Sequence, residues 1–143
     1  MSVALLDDHL LRDLLAQDAS AELAAVLGAH EPATTNLYLH RLCRSVVSAR
    51  GGALTGAWPV EQRRELGRSL LALPDTVHVV PMRLLAYRMA EIADAQPVST
   101  LGAEAAAATE HLAGVLFVWE GDDGPGIRAA VTSVGAQYRT VAR

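Results

Sequence analysis

Val3-Ala4-Leu5-Leu6-Asp7-Asp8-His9-Leu10-Leu11-Arg12 is the stretch whose reading decides the fold. Its four leading apolar residues read as a short buried strand. Leu10, Leu11, Leu14 and Leu15 then continue as a helix. The abrupt change places Asp7 at the carboxyl end of the strand, the edge at which open parallel α/β sheets bind ligands. Downstream the pattern recurs: Gly114-Val115-Leu116-Phe117-Val118-Trp119 ends in Glu120, with Asp122 and Asp123 close behind. Two strand-end acids so far apart in sequence are candidates to converge on one divalent cation. Whether a metal binds is the question the chain poses.

Between these two stretches, short apolar strands alternate with amphipathic helices. After the helix at residues 10–16, a second is expected at 21–27, stopped by Gly28. Residues 32–35 read as extended, and Asn36 as the cap of a helix over 37–49 with Leu39, Leu42, Cys43 and Val46 on one face. Gly51, Gly52, Gly56 and Pro59 mark a flexible connection to a helix at 60–71. A strand at 76–80 follows. Pro81 then opens a long helix carrying Leu85, Met89 and Ile92, and Ser99 or Thr100 caps an alanine-rich helix to 112. A strand at 115–119, a helix at 127–134 and a last strand at 137–141 end the chain. Strands separated by helices predict an α/β fold: three α/β/α layers around a central, mainly parallel sheet. The alanine run 103–108 fits a helix lying close against a sheet or a sister subunit. Residues 1–143 read as a single domain.

Composition narrows the function classes. A chain of 143 residues with 51% hydrophobic and 20% charged residues is long enough to bury a core. No apolar stretch approaches the ~20 residues that span a bilayer. No basic segment precedes the first apolar run, so a cytoplasmic location is expected. The single cysteine, Cys43, has no partner for an internal disulfide and reads as a small core residue. All 12 Lys+Arg positions are arginine. Chemistry that needs a lysine, such as a Schiff base or a phosphate-binding loop lysine, is therefore excluded. The net charge of −4 argues against broad, non-specific nucleic-acid binding.

The first fifteen residues resemble a response-regulator receiver domain, but the phosphoacceptor aspartate and terminal lysine of that class have no counterpart here. A second resemblance runs the whole length. Residues 3–15, the stretch Ala33-Thr34-Thr35-Asn36-Leu37-Tyr38-Leu39-His40-Arg41-Leu42, the stretch Ser99-Thr100-Leu101-Gly102-Ala103 and the strand ending Val118-Trp119-Glu120 follow one another in the order of four blocks. In that order they resemble a PIN-domain protein of the VapC-type toxin class. The resemblance implies a PIN-like fold, a homodimer, an antitoxin partner, RNA as substrate, and acids around Mg2+ or Mn2+. Carried over by position, Asp7 is the first catalytic acid and Glu120 the last, with Asp122 the substitute if the turn shifts register. Arg41 and Gly102 stand where the family has acids. Glu104 is two residues past Gly102, ~200° around the helix, and is expected to point away.

Crowded carboxylates repel and take up protons unless a cation sits among them. A guanidinium from Arg41 is expected to fill that role by pairing with Asp7 and Glu120, and to repel Mg2+. The resulting expectation is a toxin–antitoxin-type domain with a degenerate site and no bound cofactor, retained to bind a protein partner or RNA. One alternative is an active Mg2+- or Mn2+-dependent ribonuclease in which Asp7, Glu120, Asp122 and Asp123 hold the metal. Another is an inert dimeric or antitoxin-binding remnant. Arg41 and Arg44 share a helix face as candidate RNA or partner contacts. Plainer readings stand beside these: Asp7 or Asp8 as helix cap, residues 120–124 as a solvated loop, Gly124-Pro125-Gly126 as a turn, and Arg63, Arg64 and Arg68 as an exposed face.

Overall fold

Alternation along the first strand sets the layers. The computed structural model describes residues 2–48 and 50–143. In β1 (Ser2–Leu6), Ala4 and Leu6 join one apolar cluster and Leu5 another, as the two-residue period of a strand requires. The split recurs in β4 (Val115–Trp119), where Val115 and Phe117 side with Ala4 while Leu116 and Val118 side with Leu5. The first face is covered by α1 (Asp8–Leu15) and α2 (Ala21–Ala29) through Leu10 and Leu23. The second is covered by α6 (Ala86–Ala95), α7 (Thr100–Leu112) and α8 (Pro125–Ser133). A third cluster, with Leu11, Leu42, Leu54 and Leu66, joins α1 to α3 (Asn36–Val47), α4 (Gly52–Thr55) and α5 (Val60–Leu71).

All five strands are parallel, in the order β3-β2-β1-β4-β5, with β2 at His30–Thr35, β3 at His78–Val80 and β5 at Gln137–Val141. The chain steps from β1 to β2 to β3 toward one edge, then returns to lay β4 against the other side of β1. That reversal makes a switch point between β1 and β4, and at such a point the strand ends leave a crevice. The three-layer α/β/α arrangement expected from the sequence is the one found.

Several boundaries differ, each for a local reason. Gly28 does not stop α2, which runs one residue further and passes straight into β2. The glycine-rich connection contains α4, stapled by Ser45 Oγ, which contacts the Thr55 hydroxyl and donates to the Gly51 carbonyl. The long helix expected after Pro81 is split into a 3-10 turn at Met82–Leu84 and α6. The predicted end of the third helix at residue 49 lies outside the described residues. No helix among the described residues is long and apolar enough to cross a membrane.

The alanine run is spent inside the fold. Ala103 and Ala105 to Ala108 are each at most 1% exposed, so α7 lies directly against the sheet between α6 and α8. It presents no apolar face to a sister subunit; on the preceding segment only Leu84 and Tyr87 are exposed large apolar side chains.

Candidate functional site

Asp7 ends β1 and caps α1, and backbone amides occupy both its carboxylate oxygens. Oδ1 accepts from the Leu10 amide at 2.9 Å and Oδ2 from the Trp119 amide at 2.9 Å. The Asp7 amide itself donates to the Phe117 carbonyl at 3.2 Å. One residue thus caps a helix and ties β1 to β4 across the switch point. Burial pushes its carboxyl up to about 7, helped by the charges of Asp8 and Asp122 and opposed by the two amides.

Asp8, expected as a cap, lies inside the first turn of α1 and is fully buried. Its Oδ1 accepts from the His9 amide at 3.0 Å; its Oδ2 lies 3.2 Å from Arg41 Nε but accepts no hydrogen bond. Burial raises the Asp8 carboxyl, and the Arg41 charge partly offsets that rise. His9 is held between Trp119, with ring centroids 4.5 Å apart, and Asp122, whose Oδ2 is 3.2 Å from His9 Nε2. Burial lowers the imidazole below its ordinary range and outweighs the opposing charge of Asp122.

The pairing of Arg41 with Asp7 and Glu120 is corrected. Arg41 does reach the acidic site from α3, but its carboxylate partner is Asp8. Asp7 needs no guanidinium because two amides already hold it. Glu120 opens a 3-10 turn, is exposed, and lines neither of the two clefts at this edge. Asp122, two residues on, occupies the place expected for Glu120. The Trp119 ring lies over Gly121 with no room for a Cβ there, and the turn that this permits brings Asp122 back to His9. Asp123 faces away from that contact. It accepts from Arg128 at 2.9 Å and from the Tyr138 hydroxyl at 2.8 Å, which hold its carboxyl below the ordinary range.

Two clefts meet at this cluster. The first, about 480 Å³, is lined by Asp7, Tyr38, Ser99, Gly102, Val118 and Ile127 among others. The second, about 320 Å³, includes His9, Arg44, Ser45 and Leu54. Arg41 and Asp122 line both and form the ridge between them. Arg44 is exposed on the same helix. In the first cleft Tyr38 is buried near Asp7 and Asp8, which pushes its phenol well above the usual range. Glu104 does not line this cleft beside Gly102. It is fully buried, and its Oε1 accepts from the Leu37 amide at 2.9 Å, stapling the start of α3 to α7.

Gly102 sits tightly where the resemblance implies an acid. A Cβ at this position would lie 2.6 Å from Val98 Cγ2 and 3.4 Å from Ser99 Oγ. Gly102→Asp is expected to lower stability by ~1–3 kcal/mol through overpacking. A thermal midpoint equal to that of the unaltered protein would show that Val98 moves aside freely.

The four implied positions therefore bring one acid, Asp7, to the first cleft, with Asp122 as its nearest substitute for the fourth. Mg2+ prefers several oxygen ligands in near-octahedral geometry. Both Asp7 oxygens are engaged, residue 102 offers no donor and Arg41 adds a positive charge. This set does not fit that ion. Asp8 and His9 are the site residues whose part the sequence least reveals, since an Asp at a helix start ordinarily reads as a cap. No known family model matches the chain, and no curated protein does either.

Proposed function

We propose that this protein is a PIN-like domain of toxin–antitoxin type whose acidic site has lost nuclease chemistry and whose clefts bind a partner protein. The observation that supports this most directly is the Arg41–Asp8 contact at 3.2 Å. A built-in cation sits where the resemblance implies an acid, beside an Asp7 carboxylate already held by two amides. A protein partner is favoured over RNA because Arg41 pairs with Asp8 and shares a cleft with Asp7 and Asp122, Arg44 shares the second cleft with Asp122, and the whole chain carries −4. A phosphate backbone approaching Arg41 would meet those carboxylates.

The test is cleavage of a mixed RNA pool with Mg2+ or Mn2+, run beside pull-down of the full chain from its own host. Retention of a stoichiometric protein partner without metal-dependent cleavage is the expected outcome. Manganese-dependent cleavage that disappears in Asp7→Asn would establish instead the active ribonuclease. That second reading draws on one specific observation, that Asp7 and Asp122 line the same cleft.

The Arg41 contact carries its own prediction. Arg41→Gln leaves a fully buried Asp8 without its counter-charge. The loss in metal-free buffer should be ~1–2 kcal/mol, below the value for a fully buried pair because the Arg41 side chain is 48% exposed. Urea denaturation in the presence of EDTA measures it.

A further inference from the structure

Three side chains from two distant parts of the chain present ligand atoms within 4.8 Å of one another: Asp8, His9 and Asp122. None of them belongs to the magnesium set discussed above except Asp122, and the set contains an imidazole. From this geometry we infer that Asp8, His9 and Asp122 form a site for a zinc-class divalent ion, for which Arg41 is the exchangeable stand-in.

The first support is the state of Asp8. Its Oδ2 is fully buried and accepts no hydrogen bond, and Arg41 Nε at 3.2 Å is its ion-pair neighbour. A buried carboxylate oxygen left in this condition is costly, and a metal ion is one of the few partners that removes the cost. The second support is spacing. Ligands held ~2.0–2.1 Å from Zn2+ at a roughly tetrahedral angle lie ~3.4 Å from each other. His9 Nε2 and Asp122 Oδ2 are 3.2 Å apart. The ring is already oriented by Trp119. Its buried Nδ1 has no hydrogen-bond partner and can carry the ring proton once Nε2 gives its own up to ligate the ion.

The donor set selects the ion class. One imidazole with two carboxylates suits Zn2+ or Co2+ better than Mg2+, which favours an all-oxygen shell. Asp122 is 37% exposed on its side chain, so the cluster opens toward solvent and leaves a coordination position for water. Arg41 is half-exposed and already lines the second cleft. It can swing into that space while the ion takes over the charge of Asp8. Ion and guanidinium then compete for one carboxylate. This inference does not rest on the PIN-like reading and involves no RNA.

Co2+ titration of the metal-free full chain, followed by visible absorption and then by Zn2+ competition, tests it. A single site with low-symmetry nitrogen–oxygen absorption is expected, weakened at least ten-fold in His9→Gln and in Asp122→Asn and unchanged in Glu120→Gln. Arg41→Gln should bind at least ten-fold more tightly. Should the His9 or Asp122 variants fail to fold, nitrogen shifts of the His9 ring in the unaltered protein on adding Zn2+ give the same answer. Absence of a one-to-one complex, binding indifferent to residues 9 and 122, a His9 ring that ignores Zn2+, or weaker binding by Arg41→Gln would each overturn the inference.

Discussion

Replacing Asp7 by asparagine should remove a large fall in stability between about pH 4 and pH 7. In the folded protein the Asp7 carboxyl is pushed by burial from 3.8 to about 7. Through that window the folded state keeps a proton that the unfolded chain has released. Stability therefore falls as pH rises, by ~1.4 kcal/mol per pH unit and roughly 4 kcal/mol in all. The contribution is fully present below pH 3.8, is lost as pH passes through about 7, and is flat above. Asp8 and Asp13 are raised by burial as well and slope the same way, whereas His9 is lowered and slopes the opposite way. The quantity that isolates Asp7 is thus the difference between the two proteins. Asparagine keeps an acceptor for the Leu10 amide but turns an amide group toward Trp119 N, a constant penalty of ~1–3 kcal/mol. Asp7→Asn should be the less stable protein at pH 4, with the gap closing or reversing by pH 8. Urea denaturation across that range in EDTA measures it; a gap independent of pH would mean that Asp7 ionises normally in the folded state.

A comparable loss is expected from Asp13→Ala near neutral pH. Arg12 and Asp13 are 3% and 2% exposed, and Arg12 Nη2 lies 2.8 Å from Asp13 Oδ1. Arg143 Nε reaches Asp13 Oδ2 at 2.9 Å, and Arg12 Nη1 also donates to the Leu54 carbonyl at 2.6 Å. The two guanidinium groups rest near the rings of Trp58 and Trp119, each 5.3 Å from the centroid. Asp13 therefore joins α1, α4 and the C-terminal residue through buried charge. Truncating it strands the Arg12 cation in the interior, which costs ~3–5 kcal/mol, a large share of a typical folding free energy. Removing both charges, as Arg12→Met with Asp13→Leu, should recover most of that loss, because a buried pair replaced by apolar side chains is often nearly neutral. Chemical denaturation of the single and double variants decides the matter. A single-variant loss below ~1 kcal/mol would show that water reaches the pair.

The strand-end acid at residue 7 was legible because it depends on a local change of period, from apolar run to helix, that any reader of the sequence can see. The same holds for the strand at 115–119 and for the alanine run, whose small side chains require a close neighbour. That the neighbour is the sheet, rather than a sister subunit, depends on where α6 and α8 fall around it. Asp8 illustrates the limit. A residue just after a strand-end acid has the profile of a cap, yet Asp7 takes the cap and rotates Asp8 inward toward α3. No local pattern links residue 8 to residue 41.

The acidic turn shows the same division over a shorter distance. Five residues, 120–124, carry three acids, and nothing in their order says which of them faces the cleft. Packing of the Trp119 ring over Gly121 settles it, sending Glu120 to solvent, Asp122 to His9 and Asp123 to Arg128 and Tyr138.

By itself the sequence determined the order of strands and helices, the parallel three-layer architecture and the placing of acids at one edge, because periodicity and helix-capping chemistry act over neighbouring residues. Tertiary structure alone decided which charges meet: Asp7 with two amides, Asp8 with Arg41, and His9 with Asp122. Those partners lie up to 113 positions apart, and a half-turn of helix or one residue of turn geometry is enough to exchange one for another.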